Sequence, residues 1–283
     1  MRDTVPNSGQ DLRLALDSLK GRRYVSEEYV DLRACIYAEQ FRLLSSLLGG
    51  SAGTACEPSG PVSPGDLKAD AGAIRSFAAS LAGSLSGMGK PQAFLAALLR
   101  KSESQPRLFS DLVESAACGP DRATLTGIAS DLGESVESAL FYGRVLAAPW
   151  VTAAVGGGVI ARNDPGDRPG GCPRCGSPPG LASLSGEEGI RLLHCSLCVS
   201  AREFDRSRCA FCGERDALGI FTETPEDEMW IEVCDRCRNY LKVVDRRKAG
   251  AVLPLVHVTA GLYLDILAEK KGYRRSLPYA AVG

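Results

Sequence analysis

The sequence reads CPRCG at residues 172–176, CSLC at 195–198, CAFCG at 209–213 and CDRC at 234–237. These four Cys-x-x-Cys pairs hold eight of the eleven cysteines of the chain: Cys172, Cys175, Cys195, Cys198, Cys209, Cys212, Cys234 and Cys237. One such pair directs two thiolates at one ion, so two pairs complete a tetrahedral shell of four sulfurs, which suits zinc or a single iron. The eight sulfurs therefore predict two closed metal sites.

The spacing of the pairs indicates two similar modules, because 19 residues separate Cys175 from Cys195 and 21 separate Cys212 from Cys234. Gly176 and Gly213 follow two of the pairs, as in rubredoxin knuckles, where positive φ turns backbone N–H groups toward sulfur. Sequential pairing of the four turns is favoured, and crossed ligation stays open because spacing does not fix connectivity. A disulfide framework is the alternative, but such frameworks seldom repeat one gap four times.

The N-terminal half predicts a helical bundle. Ser26 is a candidate N-cap followed by Glu27 and Glu28, and apolar residues then recur at helical spacing up to Gly49-Gly50. Further apolar stripes run through Ile74, Phe77, Leu81 and Leu85, and through Leu125, Ile128, Leu132, Val136 and Leu140. Such amphipathic helices must bury their apolar faces against one another.

Short apolar stretches in the cysteine-rich half predict strands. Leu192-Leu193 and Trp230-Ile231 precede the second knuckle of each module, residues 240–244 predict another strand, and residues 258–271 predict a closing helix. Residues 163–171 are rich in Pro and Gly and predict a boundary. The fold class expected is α+β: a helical domain over residues 1–162, then a tandem rubredoxin-like metal region over 172–283 with a C-terminal helix.

Catalytic chemistry is not indicated. His194 and His257 are the two histidines, and neither falls in a recognisable acid–base or nucleophile pattern. His194 adjoins Cys195 but is expected to donate or accept a hydrogen bond rather than ligate, and His257 to start a helix. Cys35 and Cys118 are interpreted as small core residues and Cys56 as a loop thiol.

Charge and hydropathy argue against a nucleic-acid-binding protein and against a membrane protein. From Cys172 to Gly283 the chain carries 16 Lys and Arg against 15 Asp and Glu, a difference of +1, which argues against a nucleic-acid-binding surface. Residues 1–10 lack the basic and apolar regions of a signal peptide, and no apolar run is long enough to span a membrane. We expect no membrane association.

The cysteine-rich half resembles the formate dehydrogenase accessory protein FdhE family. The resemblance runs over residues 172–276 and rests on these blocks: CPRCGS at 172–177, RLLHCSLC at 191–198, RCAFCG at 208–213, EVCDRCRNYLK at 232–242, LYLD at 262–265, and Gly272-Tyr273 with Arg275. All eight cysteines match, so the metal assignment carries over to them residue by residue.

The resemblance implies a cytoplasmic maturation factor that binds the catalytic subunit of a formate dehydrogenase and is not itself an enzyme. It also favours two rubredoxin-type tetrathiolate iron ions, with zinc as the alternative. A rubredoxin-like electron carrier and a zinc-ribbon nucleic-acid-binding protein are the competing hypotheses. The sequence leaves formation of a homo-oligomer open.

Overall fold

The computed structural model describes residues 9–21, 25–49, 62–67, 69–117, 121–156, 160–161, 168–222, 227–249 and 253–276. Cys56, Cys118 and most of the 163–171 boundary segment lie outside these ranges.

The N-terminal half is helical, as predicted. Its helices are α1 (Gly9–Asp17), α2 (Glu27–Gly49), α3 (Ala71–Ser84), α4 (Lys90–Lys101), α5 (Leu108–Ala117), α6 (Arg122–Leu132) and α7 (Val136–Ala154), with a short 3-10 turn at Pro64–Leu67. Helix α7 is the central element, since it packs against α2, α3, α5 and α6 and buries twelve of its nineteen residues. It continues through Pro149, which lies inside the helix.

Local capping explains several helix boundaries. The Ser26 hydroxyl accepts a hydrogen bond from Tyr29 N at 3.2 Å, which confirms the predicted start of α2. The stripe predicted from Leu125 to Leu140 belongs to two helices. Gly133 ends α6 in the left-handed conformation at φ 67°, and the Ser135 hydroxyl caps the start of α7.

The cysteine-rich half forms one twisted sheet. Its strands are β1 (Ile160–Ala161), β2 (Pro179–Ser185), β3 (Ile190–Cys195), β4 (Ala201–Glu203), β5 (Leu218–Phe221), β6 (Met229–Cys234), β7 (Asn239–Asp245) and β8 (Arg274–Arg275). Their order is β1-β4-β3-β2-β7-β6-β5, with β8 beside β7. Strands β2–β4 and β5–β7 are two antiparallel units of the same topology, and parallel pairing of Ala182 with Val243 joins them.

The predicted closing helix is two helices. Helix α9 (Pro254–Ala260) begins four residues before the predicted start, and α10 (Leu262–Lys270) follows after Gly261; a single turn, α8 (Arg246–Ala249), precedes both. A Cβ at Gly261 would lie 2.8 Å from Lys242 Cδ, so this glycine allows the close approach of the helices to β7. Among the residues described, no helix has the length and apolarity to cross a bilayer.

Two clusters of apolar side chains hold the fold together. The larger one is continuous from the helical half into the sheet and includes the cysteines of the first two knuckles. The smaller one covers the opposite face of the sheet and includes Leu184, Leu193, Phe204, Leu241 and Val243. Alternating residues of β7 therefore serve different cores: Tyr240 and Val244 face the helices, and Leu241 and Val243 face away.

Candidate metal centres

The first cysteine group lies at one end of the β2–β3 hairpin. The loop before β2 supplies Cys172 and Cys175, the last residue of β3 is Cys195, and the turn after it supplies Cys198. The Sγ–Sγ distance is 3.8 Å between Cys172 and Cys198, 3.3 Å between Cys175 and Cys195, and 3.5 Å between Cys175 and Cys198. Antiparallel pairing thus brings two turns together that are separated by 19 residues in sequence.

The second group repeats this arrangement on the β5–β6 hairpin. Cys209 and Cys212 precede β5, Cys234 is the last residue of β6, and Cys237 lies in the turn that follows. The Sγ atoms of Cys209 and Cys237 are 3.8 Å apart, and those of Cys212 and Cys234 are 3.7 Å apart. The cysteines are therefore grouped as sequential pairing predicts.

The geometry of both groups fits a tetrahedral ion. In each group the four Sγ atoms lie within 4.8 Å of one another. Zinc–sulfur bonds of about 2.3 Å in a tetrahedron place neighbouring sulfurs about 3.8 Å apart, close to the distances found. Each group thus offers a closed four-sulfur shell that a zinc or iron ion could occupy.

All four knuckles share one backbone conformation. The residue after each pair has positive φ: 74° at Gly176, 51° at Val199, 77° at Gly213 and 57° at Arg238. In three knuckles the N–H of this residue donates to the carbonyl of the first cysteine, as Gly213 N does to Cys209 O at 3.0 Å. In the remaining knuckle the first cysteine, Cys195, donates from its N–H to the carbonyl of Ser200, which follows Val199. Val199 is unusual because a β-branched residue is strained at positive φ.

Backbone N–H groups are directed at sulfur in two knuckles. Leu197 N donates to Cys195 Sγ and Phe211 N donates to Cys209 Sγ, each at 3.4 Å. These contacts match the N–H orientation expected of rubredoxin knuckles. A hydrogen bond to sulfur stabilises the thiolate, but burial outweighs this effect and raises the pKa of both Cys195 and Cys209.

The two groups differ in exposure. All four cysteines of the first group are buried, and Cys198 has no exposed surface. In the second group Cys212 is exposed and Cys237 is half-buried. An ion in the first group would be shielded from solvent, whereas an ion in the second could be reached from outside.

The thiols of the first group differ in the direction of their pKa shifts. Hydrogen bonds from the other three thiols lower the pKa of Cys172, whereas burial raises the pKa of Cys195. Binding of an ion by all four sulfurs requires that the remaining thiol protons leave.

The first knuckle is attached to the helical half. Arg174, between the two cysteines of that knuckle, donates from Nη1 to the Val155 carbonyl at the end of α7 at 3.1 Å. Its own carbonyl accepts a hydrogen bond of 2.7 Å from Val62 N. The first cysteine group consequently lies at the joint between helices and sheet.

Both histidines lie outside the cysteine groups. His194 is buried, its Nε2 lies 2.8 Å from Ser183 Oγ, and burial lowers its pKa to about 4. His257 does not start a helix as predicted but is the fourth residue of α9, where its Nδ1 atom accepts a hydrogen bond of 3.2 Å from Leu253 N. Trp230, from the strand predicted before the second knuckle of its module, is half-buried and packs against the smaller cluster.

A buried polar network was missed by the sequence analysis. Lys242 Nζ donates to Asp265 Oδ2 and to the Val258 carbonyl, both at 2.8 Å, and Tyr240 Oη donates to Asp265 Oδ1 at 2.8 Å. Arg275 Nη1 lies 4.0 Å from Asp265 Oδ2. The period of two between Tyr240 and Lys242 could have indicated that both face the closing helices.

Comparison with known proteins shows which proteins the cysteine-rich region resembles in sequence. Residues 193–280 match the model described as FdhE, C-terminal domain, a range that contains six of the eight paired cysteines. The FdhE homolog of Aquifex aeolicus is 35% identical over 107 residues, 36% of this chain and 38% of that protein. The homolog of Haemophilus ducreyi is 40% identical over 108 residues, 37% of this chain and 35% of that protein. These matches span little more than a third of each relative.

The fold has a solved counterpart. The crystal structure of the FdhE protein from Pseudomonas aeruginosa superposes with a TM-score of 0.58 at 22% identity, over 96% of this chain and 93% of that one. At this identity the likeness concerns the fold. The cysteine-rich region is thus similar in sequence to the FdhE C-terminal domain, and the chain shares the fold of a solved FdhE protein.

Proposed function

We propose that the protein is a cytoplasmic accessory factor that binds the catalytic subunit of a formate dehydrogenase and supports formation of the active enzyme. The observation that carries the proposal is the match of residues 193–280 to the FdhE C-terminal domain. The sequence blocks around all eight cysteines support it, because their order and spacing resemble those of the accessory-protein family.

The geometry supports a role in recognition rather than turnover. Four sulfurs complete the shell of a tetrahedral ion and leave no position for a substrate, in contrast to catalytic zinc sites with three protein ligands. On this proposal Cys172, Cys175, Cys195 and Cys198 hold one ion, and Cys209, Cys212, Cys234 and Cys237 hold the other. Iron is favoured by the resemblance, and zinc is the alternative.

The test uses the native host with the gene deleted. We expect formate dehydrogenase activity to be lost, to return with the wild-type gene, and to stay low with Cys198→Ser or Cys234→Ser. The matched control is Cys35→Ser, which removes a half-buried thiol outside both groups and should restore activity.

Binding is measured separately. A tagged catalytic subunit purified without air should retain the wild-type chain. Normal formate dehydrogenase activity in the deletion strain would contradict the accessory role. If the wild-type gene restores formate dehydrogenase activity but the tagged catalytic subunit does not retain the chain, only the proposed binding to that subunit is contradicted.

A rubredoxin-like electron carrier is a second candidate, favoured by the exposure of Cys212. A tetrathiolate iron can cycle by one electron, and an exposed sulfur gives a redox partner close access to it. Metal analysis of the protein from its native host decides the point, since zinc in the second group would exclude this function.

A further inference from the structure

Arg144 is a buried cation near the first cysteine group. It lies on α7 with 4% of its surface exposed. Its guanidinium donates to the Ser196 hydroxyl at 3.0 Å, and to the Ser177 hydroxyl and the Ala116 carbonyl at 3.4 Å. All three acceptors are neutral, and within the described ranges no carboxylate lies within 4.0 Å of this guanidinium.

A guanidinium keeps its charge when buried, so it requires an opposite charge nearby. Both serines belong to the first group's knuckles: Ser177 follows Cys175 by two residues, and Ser196 lies between Cys195 and Cys198. Four thiolates around a divalent ion carry a net charge of about −2, and around a trivalent ion about −1. These two serines hold the guanidinium beside the first cysteine group, whose thiolates would supply the opposite charge.

We propose that Arg144 is a specificity-determining residue of the first cysteine group, which makes that group prefer a divalent ion and links the ion to the packing of α7 on the sheet. The linkage follows from two contacts of α7 with the first group's knuckles: Arg144 donates to Ser196, and Arg174 donates to the Val155 carbonyl just after the end of the helix. A divalent ion supplies the larger countercharge, so it stabilises the guanidinium more strongly than a trivalent ion does.

The second group has a different electrostatic environment. The cation beside it, Arg236, is exposed and pairs with Glu214 at 2.8 Å. Solvent and this carboxylate screen its charge, so it should have little effect on an ion in the second group. Arg236 is therefore a matched control for Arg144.

The experiment compares Arg144→Gln, Arg144→Lys and Arg236→Gln in the full zinc-loaded chain by competition with a chromophoric chelator. Each is also measured in a Cys212→Ser background, which reports the first group alone. We expect Arg144→Gln to weaken zinc in the first group by about 10- to 100-fold. Arg144→Lys should regain most of this loss, and Arg236→Gln should change first-group affinity by less than about twofold. Equal affinity in Arg144→Gln and wild type, or equal losses in Arg144→Gln and Arg236→Gln, would overturn the proposal.

A measurement on the wild-type chain covers the case in which Arg144→Gln does not fold. Removal of the first group's ion leaves the guanidinium without its countercharge, so amide hydrogen exchange over residues 140–147 of α7 should accelerate. Removal of the more exposed second ion alone should leave these amides unchanged. Unchanged exchange in α7 after loss of both ions would overturn the proposal.

Discussion

Replacement of Cys198 by serine should destabilise the fold far more than replacement of Cys212. Each change removes one sulfur from a four-sulfur shell, but Cys198 has no exposed surface and belongs to the larger core, whereas Cys212 is exposed. A bound ion present at about a thousand times its dissociation constant contributes about 4 kcal/mol to stability. A buried hydroxyl left without a partner at position 198 costs about a further 1–3 kcal/mol. The expected loss is about 5–7 kcal/mol for Cys198→Ser and about 4 kcal/mol or less for Cys212→Ser.

Such a loss at position 198 approaches the whole stability of many proteins, about 5–15 kcal/mol. Thermal unfolding followed by circular dichroism, with the metal content of each sample measured, should show the Tm of Cys198→Ser lowered by about 10–20 °C. Cys212→Ser should lose about 10 °C or less and keep one ion. An equal fall in Tm for the two variants, or a larger fall for Cys212→Ser, would refute the view that the first group joins the two halves.

Three further changes test the fold around these sites. Val199→Gly should stabilise the metal-loaded chain by about 1 kcal/mol, because glycine relieves the strain of φ 51°; a lower Tm would contradict this. Burial, and after it the charge of a nearby arginine, lowers the pKa of Lys242 from 10.5 to about 7. Between these two pH values the unfolded chain binds more protons than the folded chain, so this group makes stability rise with pH. Asp265→Asn removes the carboxylate that pairs with Lys242, so it should lower the free energy of unfolding by about 3 kcal/mol near pH 7 and extend the rise of stability with pH to lower pH. Urea unfolding over a range of pH measures this, and an unchanged pH profile would contradict the prediction. Gly143→Ala should cost about 1–3 kcal/mol, because its Cβ would lie 2.6 Å from the nearest side-chain atom of α5, whereas Gly127→Ala meets nothing within 4 Å and should not destabilise.

Local signals explain what the sequence could predict. The start of α2 depends on Ser26 and the residues that follow it, and the knuckles depend on gaps of two residues. The strand over 239–245 follows from a short apolar run that ends in a charged segment. Each of these features is encoded within a few residues, so no knowledge of distant contacts was needed.

Distant contacts explain what the sequence did not predict. Two similar modules were predicted, and parallel pairing of Ala182 with Val243 joins them in one sheet, a pairing that no local pattern encodes. In the sequence, Arg144 resembles an ordinary charged residue on the surface of a helix, and only the fold reveals its contact with Ser196. Lys242 lies in an apolar strand, where a lysine suggests exposure, yet a carboxylate 23 residues away allows its burial.

Metal content tests the central claim most directly. The protein, purified without air from its native host, should contain about two ions per chain, and replacement of the four cysteines of the second group by serine should reduce this to about one. Thiolate-to-iron charge-transfer bands would identify iron, and a colourless sample would identify zinc. Fewer than one ion per wild-type chain, or cysteines paired as disulfides, would contradict the account.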